Sequence, residues 1–254
     1  MGLPLLRPDW PAPPRVQAAM STRDGGVSAA PWRSLNLGVA VGDDAVAVAD
    51  NRARFAAALG ARPIWLRQVH GTQVRKLVAA HADMPDESAD AAWTDEPGIA
   101  CTVQVADCLP VLFAARDGRA VAAAHAGWRG LAAGVLEATL RALQHGAGLA
   151  PKDVMAWLGP CIGPRQFEVG ADVLMAFAEP VDSRCFVPRN RADGSVRWLA
   201  NLQQLAQARL MSAGVGAVSV LPLCTAEDDS RFFSFRRDGV SGPTGRMAAA
   251  IYLR

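Results

Sequence analysis

The sequence has few of the features that mark several broad protein classes. Its 254 residues include five cysteines, an odd number without close-paired spacing, which indicates reduced thiols rather than a disulfide framework. Lysine and arginine total 26 against 24 acidic residues, so a net charge of +2 argues against a general nucleic-acid binder. The sequence offers no apolar run of membrane-spanning length and no unbroken apolar stretch typical of a secretory signal. We therefore expect a cytoplasmic protein with no nucleic-acid partner and no membrane partner.

The apolar residues that are present suffice for one large core. Hydrophobic residues make up 51% of the chain, and neither a composition break nor an internal repeat divides it. The first 14 residues contain five prolines, which cannot donate a regular ladder of backbone hydrogen bonds. We predict a proline-rich N-terminal arm at residues 1–14 and a single folded domain at residues 15–254, and we favour a monomer.

Short β-rich segments alternate irregularly with helical patterns. Asp43 or Asp44 is a candidate N-cap for a helix at residues 45–59, which Gly60 ends. Leucine spacing predicts a helix over residues 131–143 that stops at Gly146, a short helix within 171–178, a loop around 188–194 and a helix carrying residues 199–210. The predicted strands are residues 64–70, 74–80, 99–105, 109–115, 120–124, 154–158, 215–221, 231–235 and 247–253.

Two turn signals connect these predicted strands. Gly71 indicates a tight reversal between residues 64–70 and 74–80, and Asp117-Gly118 indicates a hairpin before residues 120–124. Strands thus come in hairpins and runs, and helices fall between them without a regular alternation. This order favours an α+β fold of mixed β-sheets flanked by helices over a regular parallel βαβ fold.

Three residues with reactive or metal-binding side chains stand at predicted strand ends. His70 in RQVHG and His125 in AAAHAGWRG each precede a glycine, which lets the chain turn while the imidazole points out of the sheet end. Cys108 in QVADCLPVLF lies at a break between two apolar strands. Taken singly, each also fits a structural role, as a hydrogen-bonded histidine or a small buried cysteine. Together, the three strand ends could converge on one site.

Two imidazoles and one thiolate would give Zn²⁺ three ligands and leave a fourth position for water, as in catalytic zinc sites. Bound zinc lowers the pKa of that water to about 7, which makes hydroxide available near neutral pH. The same trio without metal would be a Cys–His nucleophile pair. The ligand spacings of 38 and 17 residues match no short metal motif, so these residues alone leave both interpretations open.

Other residues indicate where an anion or a polar substrate would bind. Arg129 lies at the start of the helix after His125, where free backbone N–H groups and the helix dipole favour an anion. Four arginines, Arg237 among them, cluster in residues 231–246, as a phosphate clamp or as a solvated loop. Asn36 in SLNLG and Arg52 in DNRARF offer further polar groups.

Longer motifs carry a family resemblance. The motifs, in order, are STRDGGVS, SLNLGVAVGDD, DNRARF, RQVHG, ADCLPVLF, HAGWRG, GPCIGPRQFEVG, CTAEDDSRFFSFRRDG and TGRMAA. With this series over roughly residues 20–254, the chain resembles the YfiH family, also called the laccase-domain or multicopper polyphenol oxidase family, with no departure at the three key positions. The resemblance implies a single α+β catalytic domain in which His70, Cys108 and His125 hold zinc, with copper as second choice.

The resemblance also implies an activity, purine nucleoside phosphorolysis combined with adenosine deamination. The implied substrates are phosphate with adenosine, inosine or S-methyl-5′-thioadenosine. For deamination, zinc hydroxide would attack purine C6 while a nearby carboxylate such as Asp107 moves protons. For phosphorolysis, Arg129, Arg52 or Arg237 would bind phosphate, and we include Asn36 among the substrate-binding residues.

Three other functions stay open at this point. A bacterial branch of the family implies a hydrolase or amidase that edits a cytoplasmic peptidoglycan precursor. A non-catalytic nucleoside-binding protein would use zinc for structure only. Copper-dependent polyphenol oxidation follows from the family name, but four histidines cannot supply several histidine-rich copper centres, so we rank this function last.

Overall fold

The computed structural model describes residues 2–80, 88–177 and 183–254. Within these ranges, fourteen strands form three sheets, and six α-helices accompany them. The strands are β1 (Leu5–Leu6), β2 (Val16–Ser21), β3 (Arg62–Ile64), β4 (Val74–Lys76), β5 (Ala91–Thr94), β6 (Ile99–Val105), β7 (Leu109–Ala115), β8 (Val121–Ala126), β9 (Val154–Leu158), β10 (Glu168–Val169), β11 (Phe186–Asn190), β12 (Val196–Ala200), β13 (Ala217–Val220) and β14 (Met247–Leu253). The helices are α1 (Ala45–Leu59), α2 (Trp128–Ala133), α3 (Val135–Ala147), α4 (Ala171–Ala176), α5 (Leu202–Ser212) and α6 (Phe235–Asp238).

A five-stranded mixed sheet has the order β1-β2-β14-β6-β3. Its central strand β14 runs antiparallel to β2 and β6, and β3 runs parallel to β6. Leu5 and Leu6 of the proline-rich segment pair with Ser21 and Met20, so this segment supplies an edge strand of the sheet.

A six-stranded mixed sheet has the order β13-β9-β7-β8-β5-β4. Strands β7 and β8 form an antiparallel hairpin at its centre, and every side chain of both strands is buried. Both faces are covered, which explains why these strands read as continuous apolar runs rather than as alternating polar and apolar residues. The remaining sheet, β10-β12-β11, is antiparallel and has three strands.

The elements stack in four layers, which are α1, the five-stranded sheet, the six-stranded sheet, and α3 with α5. Alternate residues of β14 pack on opposite faces of the five-stranded sheet, because successive strand side chains point to opposite sides. Ala248 and Tyr252 share a core with Phe55 of α1, whereas Met247 and Ile251 pack between the two large sheets. Helices α3 and α5 cover the other face of the six-stranded sheet. No helix within the described ranges is both long and apolar enough to cross a membrane.

Several sequence predictions are confirmed. The fold is a single α+β domain of mixed sheets with flanking helices. Helix α1 has the predicted bounds, the Asp44 carboxylate accepts a hydrogen bond from Ala47 N, and Gly60 ends the helix at φ 70°. The predicted Asp117-Gly118 hairpin connects β7 and β8. Strands β6, β7, β9 and β14 match their predicted residues.

The prediction for residues 64–74 is wrong. Only Ile64 of the predicted strand 64–70 lies in β3, and the chain then becomes irregular. Strands β3 and β4 belong to different sheets, so Gly71 does not join them in a hairpin. The physical reason is that backbone N–H groups of Val69, His70 and Gly71 bind the carboxylate of Asp90 instead of a neighbouring strand.

Four other element predictions are also wrong. Residues 231–235 comprise the end of a turn, an irregular segment and the start of α6. Residues 188–190 belong to the β11–β12 hairpin rather than to a loop. Leu199 lies in β12, because Asn201 caps α5. The helix predicted over 131–143 is divided at Gly134, which has φ 95°, and its second part runs past Gly146 to end at Gly148. By contrast, the prediction of a short helix within 171–178 is confirmed by α4, and residue 178 lies outside the described residues.

Candidate active site

His125 lies near the end of β8 and faces the layer between the two large sheets. It continues the alternation of Val121 and Ala123, whose side chains pack in that layer. Gly127 then caps the N-terminus of α2 and turns the chain away. The sequence therefore places the imidazole at the rim of the inter-sheet core, where it is only 3% exposed.

Cys108 lies in the short connection between β6 and β7, beside Asp107. Asp107 has φ 90°, and both of its carboxylate oxygens are engaged. They accept hydrogen bonds from Thr225 Oγ1 at 2.6 Å, Ser234 Oγ at 3.0 Å and Arg236 N at 2.6 Å. Asp107 thus fixes the segment that presents Cys108, while its role as a proton carrier stays a prediction.

His70 lies in the irregular segment after β3 and has φ 60°, in the left-handed region. The Asp90 carboxylate accepts hydrogen bonds from the backbone N–H groups of Val69 at 3.1 Å, His70 at 2.9 Å and Gly71 at 2.7 Å. The same carboxylate lies 2.8 Å from His125 Nδ1. Asp90 therefore contacts the segments of both histidines.

His70, Cys108 and His125 converge on one point. Their ligand atoms all lie within 4.8 Å of one another, and Cys108 Sγ lies 3.8 Å from His70 Nε2. The two imidazole rings meet edge to face, with centroids 4.8 Å apart. The structure thus brings together three residues that are separated by 38 and 17 positions in the sequence.

Electrostatics favour a thiolate in this cluster. Burial acts to raise the pKa of Cys108, but the charges and hydrogen bonds of His125 and His70 outweigh it and lower this pKa to about 6. Burial also acts against a charged His125, but Cys108 and Asp90 raise the pKa of the imidazole to about 9. In the protein without an ion, an imidazolium–thiolate pair is therefore favoured.

Gly127 leaves the space that the side chains of His70 and Cys108 occupy. A Cβ atom at this position would lie 2.9 Å from His70 Cδ2 and 3.0 Å from Cys108 Sγ. Gly130 is similarly confined, because a Cβ there would lie 2.9 Å from the carbonyl oxygen of Gly71. The two glycines of the GWRG sequence thus allow the start of α2 to approach the histidine segment closely.

The trio opens into a cavity of about 660 Å³. Arg129, predicted from the sequence, lines this cavity, is exposed and stacks its guanidinium 4.3 Å from the Trp128 ring. The cavity wall also contains three aromatic side chains and two glutamines that sequence reasoning did not assign to the site, and two arginines of the cluster in residues 231–246. These are Trp128, Phe167, Phe235, Gln68, Gln104, Arg236 and Arg246.

Among the described residues that line the cavity, the predicted substrate-binding residues Asn36, Arg52 and Arg237 are missing. Asn36 is fully buried, and its side-chain oxygen accepts hydrogen bonds from the backbone N–H groups of Gly38 and Arg246. Arg52 donates to the Leu37 carbonyl and stacks on Trp65. Asn36 thus orders the backbone at Gly38 and Arg246, two residues of the cavity wall.

Arg237 is also engaged away from the cavity. Its guanidinium donates to the carbonyls of Thr225 and Phe232 and to the carboxylate of Asp238. Substrate binding by Asn36, Arg52 and Arg237 stays a prediction. Of the same arginine cluster, Arg236 and Arg246 face the cavity, and burial lowers the pKa of Arg246.

Asp90 is the main residue of the site that the sequence analysis missed. It is fully buried, but in the sequence it is one of several acids that precede the apolar strand β5, and nothing there sets it apart from them. A buried carboxylate without a basic neighbour in sequence signals a partner that is distant along the chain. No pattern in the sequence identified that partner as His125.

The donor set fits a zinc ion. With Zn–S near 2.3 Å and Zn–N near 2.0 Å, tetrahedral ligand atoms lie about 3.5 Å apart, close to the separation of Cys108 Sγ and His70 Nε2. Because Nδ1 of His125 is bonded to Asp90, Nε2 is the nitrogen left for an ion. Among the described residues, this is the one group of three His, Cys, Asp or Glu side chains with such an arrangement.

Known proteins of the same length are similar to the chain. A protein of Pseudomonas aeruginosa called purine nucleoside phosphorylase is 50% identical over 251 residues, which cover 98% of both chains. The Escherichia coli protein called purine nucleoside phosphorylase YfiH is 46% identical over 253 residues, with the same coverage.

Solved structures agree with these sequence matches. The crystal structure of a Neisseria meningitidis protein has a TM-score of 0.89 at 45% identity and covers 98% of both chains. YlmD from Geobacillus stearothermophilus also has a TM-score of 0.89, at 32% identity, and covers 98% of this chain and 96% of its own. The sequence matches the family described as multi-copper polyphenol oxidoreductase laccase over residues 17–254. The chain therefore belongs to this family, as the YfiH proteins do.

Proposed function

We propose that the chain is a zinc-dependent purine nucleoside phosphorylase that also deaminates adenosine. The observation that carries this proposal is the His70–Cys108–His125 cluster at the base of a cavity, in a chain 42–50% identical over almost its full length to four bacterial proteins named purine nucleoside phosphorylase. The proposed nucleosides are adenosine, inosine and S-methyl-5′-thioadenosine.

The cavity suits a nucleoside in size and lining. Its volume of about 660 Å³ falls within the range of roughly 300–1,000 Å³ that is usual for small-molecule sites. Trp128, Phe167 and Phe235 offer flat apolar surfaces to a purine ring. The side-chain amide of Gln104 faces the same space and makes no hydrogen bond to a described residue, so it is available to the polar edge of the base.

Three arginines support the binding of phosphate. Arg129, Arg236 and Arg246 line the cavity, and a guanidinium is well suited to bind phosphate through paired hydrogen bonds. Arg236 and Arg246 are held in place by hydrogen bonds to backbone carbonyls, which fixes their position before an anion arrives. We assign these three arginines, rather than Arg52 or Arg237, to the phosphate.

The chemistry follows from this placement. In phosphorolysis, an oxygen of hydrogen phosphate forms a bond to ribose C1′ while the bond from C1′ to purine N9 breaks. The proton of the hydrogen phosphate passes to the departing purine, so that ribose 1-phosphate and the neutral purine are released. The arginines would hold the phosphate against C1′, and the aromatic walls would orient the base. A zinc ion bound by His70, Cys108 and His125 would supply Lewis acidity and an open coordination position. For deamination, water replaces the C6 amino group of adenosine, and ammonia leaves.

The test compares wild type with Cys108→Ala in adenosine assays with and without phosphate. Adenine, ribose 1-phosphate and inosine are quantified together with bound zinc. We expect phosphate-dependent adenine release by wild type and a loss of at least about 100-fold in Cys108→Ala, because a metal ligand is removed. Cys101→Ala is the matched control for activity, since Cys101 is a buried core cysteine of β6 outside the three-residue cluster. Asp43→Asn, whose carboxylate bonds Ser28 and Asn36, serves below as the control for zinc binding.

Equal turnover by wild type and Cys108→Ala would overturn the proposed site. Release of an amino acid from a muramyl-peptide precursor, with no nucleoside turnover, would replace the proposal with the precursor-editing hydrolase. Nucleoside binding without any product would indicate a binding protein.

A further inference from the structure

We propose that Asp90 is a positioning residue that sets both histidine ligands, His70 and His125, and thereby the affinity of the site for zinc. This inference rests on the metal site proposed above and does not depend on which reaction the enzyme catalyses. Asp90 does not itself line the cavity, and no hydrogen bond among the described residues joins its side chain to the thiol of Cys108.

The sheet register places Asp90 opposite His125. Ala91 of β5 pairs with Ala124 of β8, so the preceding and following residues, Asp90 and His125, are the next neighbours. The carbonyl of Asp90 accepts the backbone N–H of His125 at 2.7 Å, and its carboxylate Oδ1 lies 2.8 Å from His125 Nδ1. The two side chains are 0% and 3% exposed, so water does not compete for this contact.

The contact fixes the tautomer of His125. A carboxylate is a hydrogen-bond acceptor only, so the imidazole donates from Nδ1 and its Nε2 lone pair is left for the ion. A partner of this kind also fixes the plane of the ring. Asp90 therefore determines both which nitrogen of His125 faces the cluster and in which direction it points.

The same carboxylate fixes the backbone of His70. Oδ1 accepts from the N–H of His70 at 2.9 Å, and Oδ2 accepts from the N–H groups of Val69 at 3.1 Å and Gly71 at 2.7 Å. His70 has φ 60°, a conformation that non-glycine residues adopt rarely and only where the surroundings determine it. Here, three hydrogen bonds from residues 69–71 to the buried carboxylate of Asp90 hold the backbone of His70 in this conformation.

Asparagine cannot reproduce these contacts. Each oxygen of Asp90 faces two N–H groups, so an amide in either orientation would set its own NH₂ against donors. One orientation disturbs His125 and His70, and the other disturbs Val69 and Gly71. Asp90→Asn preserves volume and removes charge, which makes it a sharp test of positioning.

The experiment measures the zinc dissociation constants of wild type, Asp90→Asn and Asp43→Asn by chelator competition, with thermal unfolding of the metal-free proteins as a folding check. We expect Asp90→Asn to weaken zinc binding by roughly 10- to 100-fold, the usual effect of losing a partner of a ligating histidine. The visible spectrum of the Co²⁺-substituted protein should also change in Asp90→Asn and stay constant in Asp43→Asn. Zinc affinities of the two variants within about threefold of each other would overturn the positioning role.

A second measurement needs no variant at Asp90. Long-range ¹H–¹⁵N correlations of zinc-loaded wild type should show His125 protonated on Nδ1, with the signal assigned by its loss in His125→Gln. A His125 protonated on Nε2 would overturn the proposal. Absence of zinc binding by wild type would overturn the metal site itself, whereas normal zinc binding with the wrong tautomer would overturn only the role of Asp90.

Discussion

Two buried carboxylates, Asp90 and Asp107, flank the site and act on different parts of it. Asp90 bonds the ring of His125 and the backbone of residues 69–71, so its contacts converge on the two histidines of the proposed metal site. Asp107 precedes Cys108, but its carboxylate bonds Thr225, Ser234 and the backbone of Arg236. Asp90 orders the His70–Cys108–His125 cluster. Asp107 joins the segment of Cys108 to the loop that carries Arg236 and Arg246, which line the cavity; we call these two residues the arginine wall.

The difference shows that two similar side chains can stabilise different properties. Both carboxylates only accept hydrogen bonds, and each has several donors. Asp107 itself has a positive φ, and Asp90 bonds the backbone of His70, which also has a positive φ. The contacts of Asp107 join residues that are more than 100 positions apart, so its loss should affect the folded chain as a whole. The contacts of Asp90 converge on the ligands, so its loss should affect the metal more.

The largest expected effect on stability belongs to Asp107→Ala. This substitution leaves the donors of Thr225, Ser234 and Arg236 without their acceptor, which should lower the free energy of unfolding by about 3 kcal/mol or more. Urea unfolding of the metal-free proteins measures the change. Asp107→Ala should weaken zinc binding by a smaller factor than Asp90→Asn does. The reverse order would contradict the difference between the two carboxylates.

The next largest effect is expected for phosphate binding by the arginine wall. Arg246→Ala should raise the KM for phosphate by about tenfold or more, because it removes a guanidinium that lines the cavity. Arg237→Ala is the matched control from the same cluster. It should lower stability and leave the KM for phosphate unchanged, since its guanidinium bonds two carbonyls and Asp238. If only Arg237→Ala raised the KM for phosphate, Arg237, as the sequence suggests, would bind the phosphate instead of Arg246.

The smallest effect is a pH dependence at Asp238, in the same loop. Burial acts to raise the pKa of this carboxyl, but hydrogen bonds from Arg237, Ser234 and Thr244 outweigh it and lower the pKa below its ordinary value. The stabilisation is therefore complete above the unfolded pKa of about 3.9 and is lost as the pH falls through the lower folded pKa. The free energy of unfolding of wild type should exceed that of Asp238→Asn by about 1 kcal/mol at pH 6 and by less at pH 3. A difference that does not change with pH would contradict this assignment.

The parts of the fold that the sequence could predict are those determined by local residues. The cap at Asp44 and the left-handed Gly60 define α1, and the continuous apolar runs define β6 and β7. Cys108 and His125 could be placed at strand ends for the same reason. Their convergence was a hypothesis from residue types and from the family resemblance, and the geometry of the cluster agrees with it.

The parts that could not be predicted depend on partners distant in sequence. His70 was assigned to a strand end, but its conformation is set by Asp90, twenty residues later. The choice between Arg237 and Arg246 depends on how the loop after Ser234 folds onto Asp107 and Asn36. Residues 188–194 read as a loop because they are mostly polar, although the backbone of residues 188–190 pairs regularly with β12.

The close approach of Gly127 to the ligands has a mechanical consequence. Residues 127–129 follow one another at the start of α2, so the residue that touches the cluster is directly bonded to Trp128 and is one peptide away from Arg129. Trp128 and Arg129 face the cavity. We therefore expect that a molecule which shifts this segment by binding against either side chain also changes the spacing of His70 and Cys108. Occupancy of the cavity and the colour of a cobalt ion in the cluster should change together.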